Sequence, residues 1–156
     1  MLRVLLVDDE PFIIQGLKIL INWEQEGFEI AGTAANGQEA YEFLQKEKVD
    51  LIIADIKMPV MTGLELQEII RKENLSNAYF VILSGYADFE YARRALQNEC
   101  TDYLLKPVDR EILLNLLSRV HAMRDEENRV QQNNQKMERA YFARHLISLI
   151  KGKYDA

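Results

Sequence analysis

The chain has 156 residues, 48% of them hydrophobic and 28% charged, with a formal net charge of −6. That suffices for one globular domain with an appendage, and the acidic balance argues against a surface that holds nucleic acid nonspecifically. No apolar stretch approaches the roughly 18 residues of a membrane span, the N-terminus turns acidic too soon for a secretory signal, and the single cysteine, Cys100, excludes an internal disulfide; together these features predict a cytoplasmic location.

The first predicted strand is 4–7, a run of Val and Leu that stops at Asp8-Asp9. Pro11 then opens a helix whose apolar stripe is Ile13, Leu17 and Leu20, with Trp23 anchoring its end in the core. A strand at 30–34 and a helix striped by Ala40, Phe43 and Leu44 follow. The third strand, 51–54, ends at Asp55, and "KMPVMTG" turns into a helix striped by Leu66, Ile69 and Ile70, with Pro59 and Gly63 shaping the turn. The fourth strand, 80–83, ends at Ser84, and a helix with Asp88 as its cap candidate carries Phe89, Ala92 and Leu96. The fifth, 103–105, ends at Lys106-Pro107, after which Asp109 is a cap candidate for a helix beginning with Ile112, Leu116 and Leu117. All strands but the second are continuous apolar runs, the pattern of parallel strands buried on both faces. Five such units predict a doubly wound α/β sheet with right-handed crossovers.

Beyond Met123 the sequence "RDEENRVQQNNQKMER" is strongly polar and free of Gly and Pro. Leu113, Leu116, Val120, Met123, Val130, Met137 and Tyr141 fall at alternating spacings of three and four, with Glu127 and Asn134 filling the gaps. This is a candidate coiled-coil seam continuing the last helix, set against a solvated single helix. Phe142, Leu146, Leu149 and Ile150 then form a wider apolar face that needs something to pack on.

Ligands of open α/β sheets bind outside the carboxyl ends of the strands. Asp8, Asp9, Asp55, Ser84 and Lys106 all stand at such ends, so the fold would gather them into one pocket. Three clustered carboxylates need a cation, and a hard oxygen-seeking ion such as Mg²⁺ suits them. Lys106 suits an arriving anion and Ser84 offers it a hydroxyl. Taken singly, each has a plainer reading: Asp9 a helix cap, Asp55 and Ser84 turn residues, Lys106 a solvated lysine. Cys100 reads as a small hydrophobe, and His121 and His145 as packing or solvated residues.

The set Asp8-Asp9, Asp55, Ser84 and Lys106-Pro107 resembles the receiver domain of bacterial two-component response regulators, in order and spacing, over residues 1–123. The resemblance implies a flavodoxin-like strand order 2-1-3-4-5 and no enzymatic activity beyond the domain's own phosphorylation and dephosphorylation. It makes Asp55 the phosphoacceptor, served by a partner histidine kinase. It implies Mg²⁺ at Asp8, Asp9, Asp55 and the Lys57 carbonyl, a cis Lys106-Pro107 peptide, and Lys106 pairing with the acyl phosphate. Ser84 and Tyr103 become switch residues, with Tyr91 and Arg94 candidates for a partner-facing surface. "DIK" lacks the second aspartate of the magnesium-dependent phosphatases that use an aspartyl phosphate, and "DDEPF" lacks the phosphate loop of a flavin-binding protein.

"INWEQEGFEIAGTAANGQEA" and "LSGYADFEYARRAL" resemble receivers of regulators that end in an AraC-type helix-turn-helix domain, and "MERAYFARHLISLIKGK" resembles the connector before that domain. The expectation is therefore a receiver at 1–123 and a helical linker at 124–156 leading to a DNA-binding output domain absent from this chain. Homodimerisation through the tail or a receiver face is expected. A stand-alone receiver acting by protein binding is the alternative.

Overall fold

The computed structural model describes residues 1–85, 93 and 102–154, with side-chain burial in the last helix described to residue 140 and at 143. The predicted helix after Ser84 therefore lies outside the described residues, with its cap candidate Asp88, its stripe of Phe89, Ala92 and Leu96, the surface candidates Tyr91 and Arg94, and Cys100. The side chains of Tyr141, Phe142, His145, Leu146, Leu149 and Ile150 lie outside them too.

The described elements are β1 (Leu2–Val7), α1 (Pro11–Leu20), β2 (Phe28–Ala34), α2 (Gly37–Lys46), β3 (Leu51–Asp55), α3 (Gly63–Glu73), β4 (Tyr79–Ser84), β5 (Asp102–Leu105) and a C-terminal helix (Arg110–Tyr154). The strands form one parallel sheet in the order β2-β1-β3-β4-β5. Alternation along each inner strand divides the core in two. Leu5, Val7, Ile52, Ala54 and Ile82 pack under α2 and α3 through Ala40, Leu44, Leu66 and Ile70. Val4, Leu6, Leu51, Ile53, Val81 and Leu83 pack under α1 and the start of the C-terminal helix. Each fully buried Leu or Ile stabilises the fold by about 1.5–3 kcal/mol, which is why the inner strands read as unbroken apolar runs. The edge strand β2 reads differently. Its register shifts between Val4↔Ile30 and Leu5↔Gly32, leaving Ala31 as a bulge that bends the open edge.

Local chemistry fixes the helix starts. Pro11 occupies the first turn of α1, where its missing N–H costs nothing. Asn36 and Thr62 cap α2 and α3 by accepting from the backbone N–H groups of Glu39 and Glu65. Asp109 does the same for Ile112, as its position predicted. Trp23 is buried and donates Nε1–H to the Leu17 carbonyl at 2.9 Å, anchoring the end of α1.

Two readings need correction. Ile112 is 56% exposed; the buried arc of the C-terminal helix is Leu113, Leu116, Leu117 and Val120, so Ile112 sits just outside it. Asp9 does not cap α1: the capping position is Glu10, and no side chain accepts a hydrogen bond there.

Contacts divide the chain into units Met1–Val120 and His121–Ala156. The second unit is helical to Tyr154. Every residue from 125 to 140 is exposed, including Val130 and Met137 of the seam. Ion pairs run along it between Arg124 and Glu127 at 3.1 Å and between Arg129 and Glu126 at 2.6 Å. His121 pairs with Asp125 at 3.0 Å.

Candidate functional site

Backbone hydrogen bonds continue past the strand ends and fix the predicted site residues in place. Asp8 N–H donates to the Ala34 carbonyl at 3.0 Å, Ile56 N–H to Leu83 at 3.0 Å, and Lys106 N–H to Ser84 at 2.8 Å. Asp8, Asp55, Ser84 and Lys106 are thus tied into neighbouring strands rather than carried on free loops. The Lys106-Pro107 peptide is cis.

Gly63 lets the next helix close on this frame. A Cβ there would lie 2.4 Å from the Asp55 carbonyl oxygen, so only glycine permits the start of α3 to approach the strand end so closely. Its N–H donates to Ile56 at 3.2 Å. The sequence marked Gly63 as a turn residue; its closeness to Asp55 was not legible there.

One carboxylate oxygen from each of Asp8, Asp9 and Asp55 lies within 4.8 Å of the others, Asp8 and Asp55 buried and Asp9 exposed. An ion holding its oxygens at about 2.1 Å bridges two of them when they are at most about 4.2 Å apart, so modest side-chain rotation would close this set around Mg²⁺. The Lys106 ammonium lies between the two buried carboxylates, 3.1 Å from Asp8 Oδ2 and 3.1 Å from Asp55 Oδ2. Among the described residues the ion pair with Lys106 is the one contact recorded for Asp8 Oδ2. Asp8 Oδ1 accepts from Glu10 N–H at 2.9 Å.

These surroundings set the protonation of the pocket. Burial, reinforced by the neighbouring Asp8 charge, pushes the Asp55 carboxyl up to about 6, against the opposing pull of Lys106. Burial also raises Asp8, partly offset by the Glu10 N–H and by Lys106. Burial pulls the Lys106 ammonium down, but Asp55 and Asp8 together outweigh it and hold the group above its ordinary range.

Ser84 is the last residue of β4, not a turn serine. Its hydroxyl is buried and has no hydrogen-bond partner among the described residues. Such an orphaned group costs about 1–3 kcal/mol unless something binds it. Lys57 is exposed, and its backbone nitrogen lies 3.5 Å from Asp55 Oδ1. Tyr103, on the edge strand β5, is 38% exposed.

The profile of the response regulator receiver domain matches residues 4–118. The chain belongs to that family. It is 38% identical over 122 residues to the uncharacterized transcriptional regulatory protein YesN of Bacillus subtilis, covering 78% of this chain and 33% of that protein. It is 38% identical over 131 residues to the transcriptional regulatory protein HptR of Staphylococcus aureus, covering 82% and 51% respectively. The chain therefore spans a third to about half the length of these curated relatives. Among solved structures it resembles the REC domain of AraT, a response regulator from Geobacillus stearothermophilus. That match has a TM-score of 0.76 and 33% identity, and it covers 81% of this chain and 98% of that one. The chain is the receiver, a regulatory domain, of a two-component response regulator, with the expected five-stranded order. Among the described residues no helix is long and apolar enough to cross a membrane.

Proposed function

We propose that this receiver accepts a phosphoryl group on Asp55 from a histidine kinase and relays the change to a DNA-binding output domain. The observation that carries this reading is the cluster of the Asp8, Asp9 and Asp55 carboxylates around the Lys106 ammonium, at the strand ends where Ser84 buries a hydroxyl that has no hydrogen-bond partner among the described residues. Asp55 attacks phosphorus, the P–N bond of a phosphohistidine breaks as the P–O bond of an acyl phosphate forms, and the imidazole leaves. Little covalent chemistry is asked of the protein; positioning and charge neutralisation carry the step.

Asp8, Asp9, Asp55 and the Lys57 carbonyl would hold Mg²⁺, which when bound supplies positive charge against the phosphoryl oxygens. Lys106 turns from the bare carboxylates to the new anion, and the Ser84 hydroxyl donates to it. Phosphorylation adds about 1.5–2 negative charges, drawing the ends of β4 and β5 inward and Tyr103 with them. Beryllofluoride with Mg²⁺ tests the arrangement. It should bind the wild type, bind Lys106→Ala more weakly, and shift the Ser84 and Tyr103 signals. Equal binding by both proteins, or unmoved signals, would contradict these roles.

Residues 1–123 act as the receiver and 124–156 as a helical linker. The heptad spacing of Met123, Val130 and Met137, with Asn134 at a seam position, supports a parallel homodimer through the tail. Two features support transcriptional output: YesN and HptR are called transcriptional regulatory proteins, and this chain covers only part of each.

A further inference from the structure

The sequence contains a single Asn-Gly pair, Asn36-Gly37. Asparagine is chemically labile, and most so before glycine, which places no side chain in front of the following backbone nitrogen. That nitrogen, once it releases its proton, can attack the asparagine side-chain carbon. A new C–N bond closes a cyclic imide, the C–NH₂ bond breaks, and ammonia leaves with the proton. Water then opens the imide at one of its two carbonyls. One opening gives aspartate; the other gives isoaspartate, in which the main chain runs through the side-chain carbon.

The fold holds both members of the pair in place. A Cβ on Gly37 would lie 2.7 Å from the Met61 carbonyl oxygen, so the close approach of that loop to the start of α2 leaves no room for a side chain. Asn36 is the cap of α2, its Oδ1 accepting from Glu39 N–H at 2.9 Å, while Ala35 N–H donates to Glu39 Oε2 at 2.7 Å. Serine, threonine or aspartate would also cap the helix, but none of them carries an amide that can leave as ammonia.

The same contacts oppose the reaction. Gly37 is buried, and its N–H donates to the Met61 carbonyl at 3.1 Å, so the proton that must leave first is bonded and out of reach of solvent base. The imide ring needs the Gly37 nitrogen to eclipse the Asn36 Cβ. At an Asn36 ψ of 175° the two stand apart. Turning about that ψ would pull Gly37 N–H off Met61 and strip the cap from Glu39. We propose that Asn36 is a deamidation site, reactive in the unfolded chain and shielded in the folded one by the seat of Gly37 N–H on the Met61 carbonyl. The inference is independent of the phosphoryl reading.

The test holds the full chain at mildly alkaline pH in native buffer and in guanidinium chloride. Isoaspartate and aspartate are read residue by residue by peptide mapping, and isoaspartate also by labelling with an isoaspartate methyltransferase. Asn36→Ser, which keeps a cap and lacks the amide, is treated in parallel, and hydrogen exchange of the Gly37 amide is followed in native buffer. The expected result is conversion of Asn36 in denaturant, conversion at least about tenfold slower in native buffer, loss of the signal at residue 36 in Asn36→Ser, and slow exchange at Gly37. Equal rates in the two solvents, or a Gly37 amide that exchanges as fast as an unfolded one, would overturn the shield. A residue 36 that stays asparagine in denaturant would overturn the site.

Discussion

Lys106 Nζ stands 3.1 Å from Asp55 Oδ2 and the same distance from Asp8 Oδ2, so the lysine bridges the carboxylates of the pocket. An ammonium in that position competes with any second cation. Lys106→Met should therefore bind Mg²⁺ more tightly than the wild type, while losing affinity for beryllofluoride. Isothermal titration of both ligands checks the pair of changes. Weaker Mg²⁺ binding in the variant would mean that the lysine assists the cation rather than opposing it.

The raised carboxyl of Asp55 gives the metal-free protein a pH signature. Its folded value of about 6 exceeds the ordinary 3.8, so between those values the folded state binds more protons than the unfolded state. Stability must then fall as pH rises from about 4 through 6, by up to about 3 kcal/mol if the group acted alone. Asp8, also raised, adds to the same slope. In chelator, the Tm of the wild type should drop over this window, and Asp55→Asn should show a flatter profile and a higher Tm at pH 7. Mg²⁺ should restore the wild type at pH 7 and lose its effect below about pH 6, where Asp55 protonates. A Tm independent of pH in chelator would contradict the placement of these charges.

Gly63→Ala should cost on the order of 1–3 kcal/mol, because the new methyl meets the Asp55 carbonyl and the backbone must move. Denaturant unfolding reads the loss. Since the displaced strand end carries Asp55, phosphoryl uptake should fall further than stability alone explains. Thr62→Ala, which removes only the α3 cap, should cost about 1 kcal/mol and leave uptake intact.

The tail prediction is oligomeric. At concentrations where the full chain sediments at about twice its monomer mass, a chain ending at Met123 should sediment at its own monomer mass, because the seam through Val130 and Met137 would be lost. Asn134→Val should tighten the association while relaxing its register. The same oligomeric state for the full and shortened chains, with and without the phosphoryl mimic, would leave the tail a spacer.

Much of this was legible in the sequence because burial on both sheet faces forces continuous apolar runs such as 51–54. The polar residue ending each run marks the pocket. The helix phase was less secure: Ile112 looks as apolar as Leu113, and only packing decides which one faces the sheet. The Asn36-x-x-Glu39 and Thr62-x-x-Glu65 patterns were cap signals open to reading and were missed. The Lys106 bridge depends on side-chain reach toward partners distant in the chain, which no local pattern encodes.

The most direct test of the central claim is chemical. The full chain is incubated with Mg²⁺ and a small-molecule phosphoryl donor, then analysed by intact mass and by reductive trapping of acyl phosphate. The account predicts one added phosphoryl group, labile to alkali, trapped at Asp55 and absent from Asp55→Asn. A phosphoryl group that persists in Asp55→Asn, or that survives alkali, would contradict it.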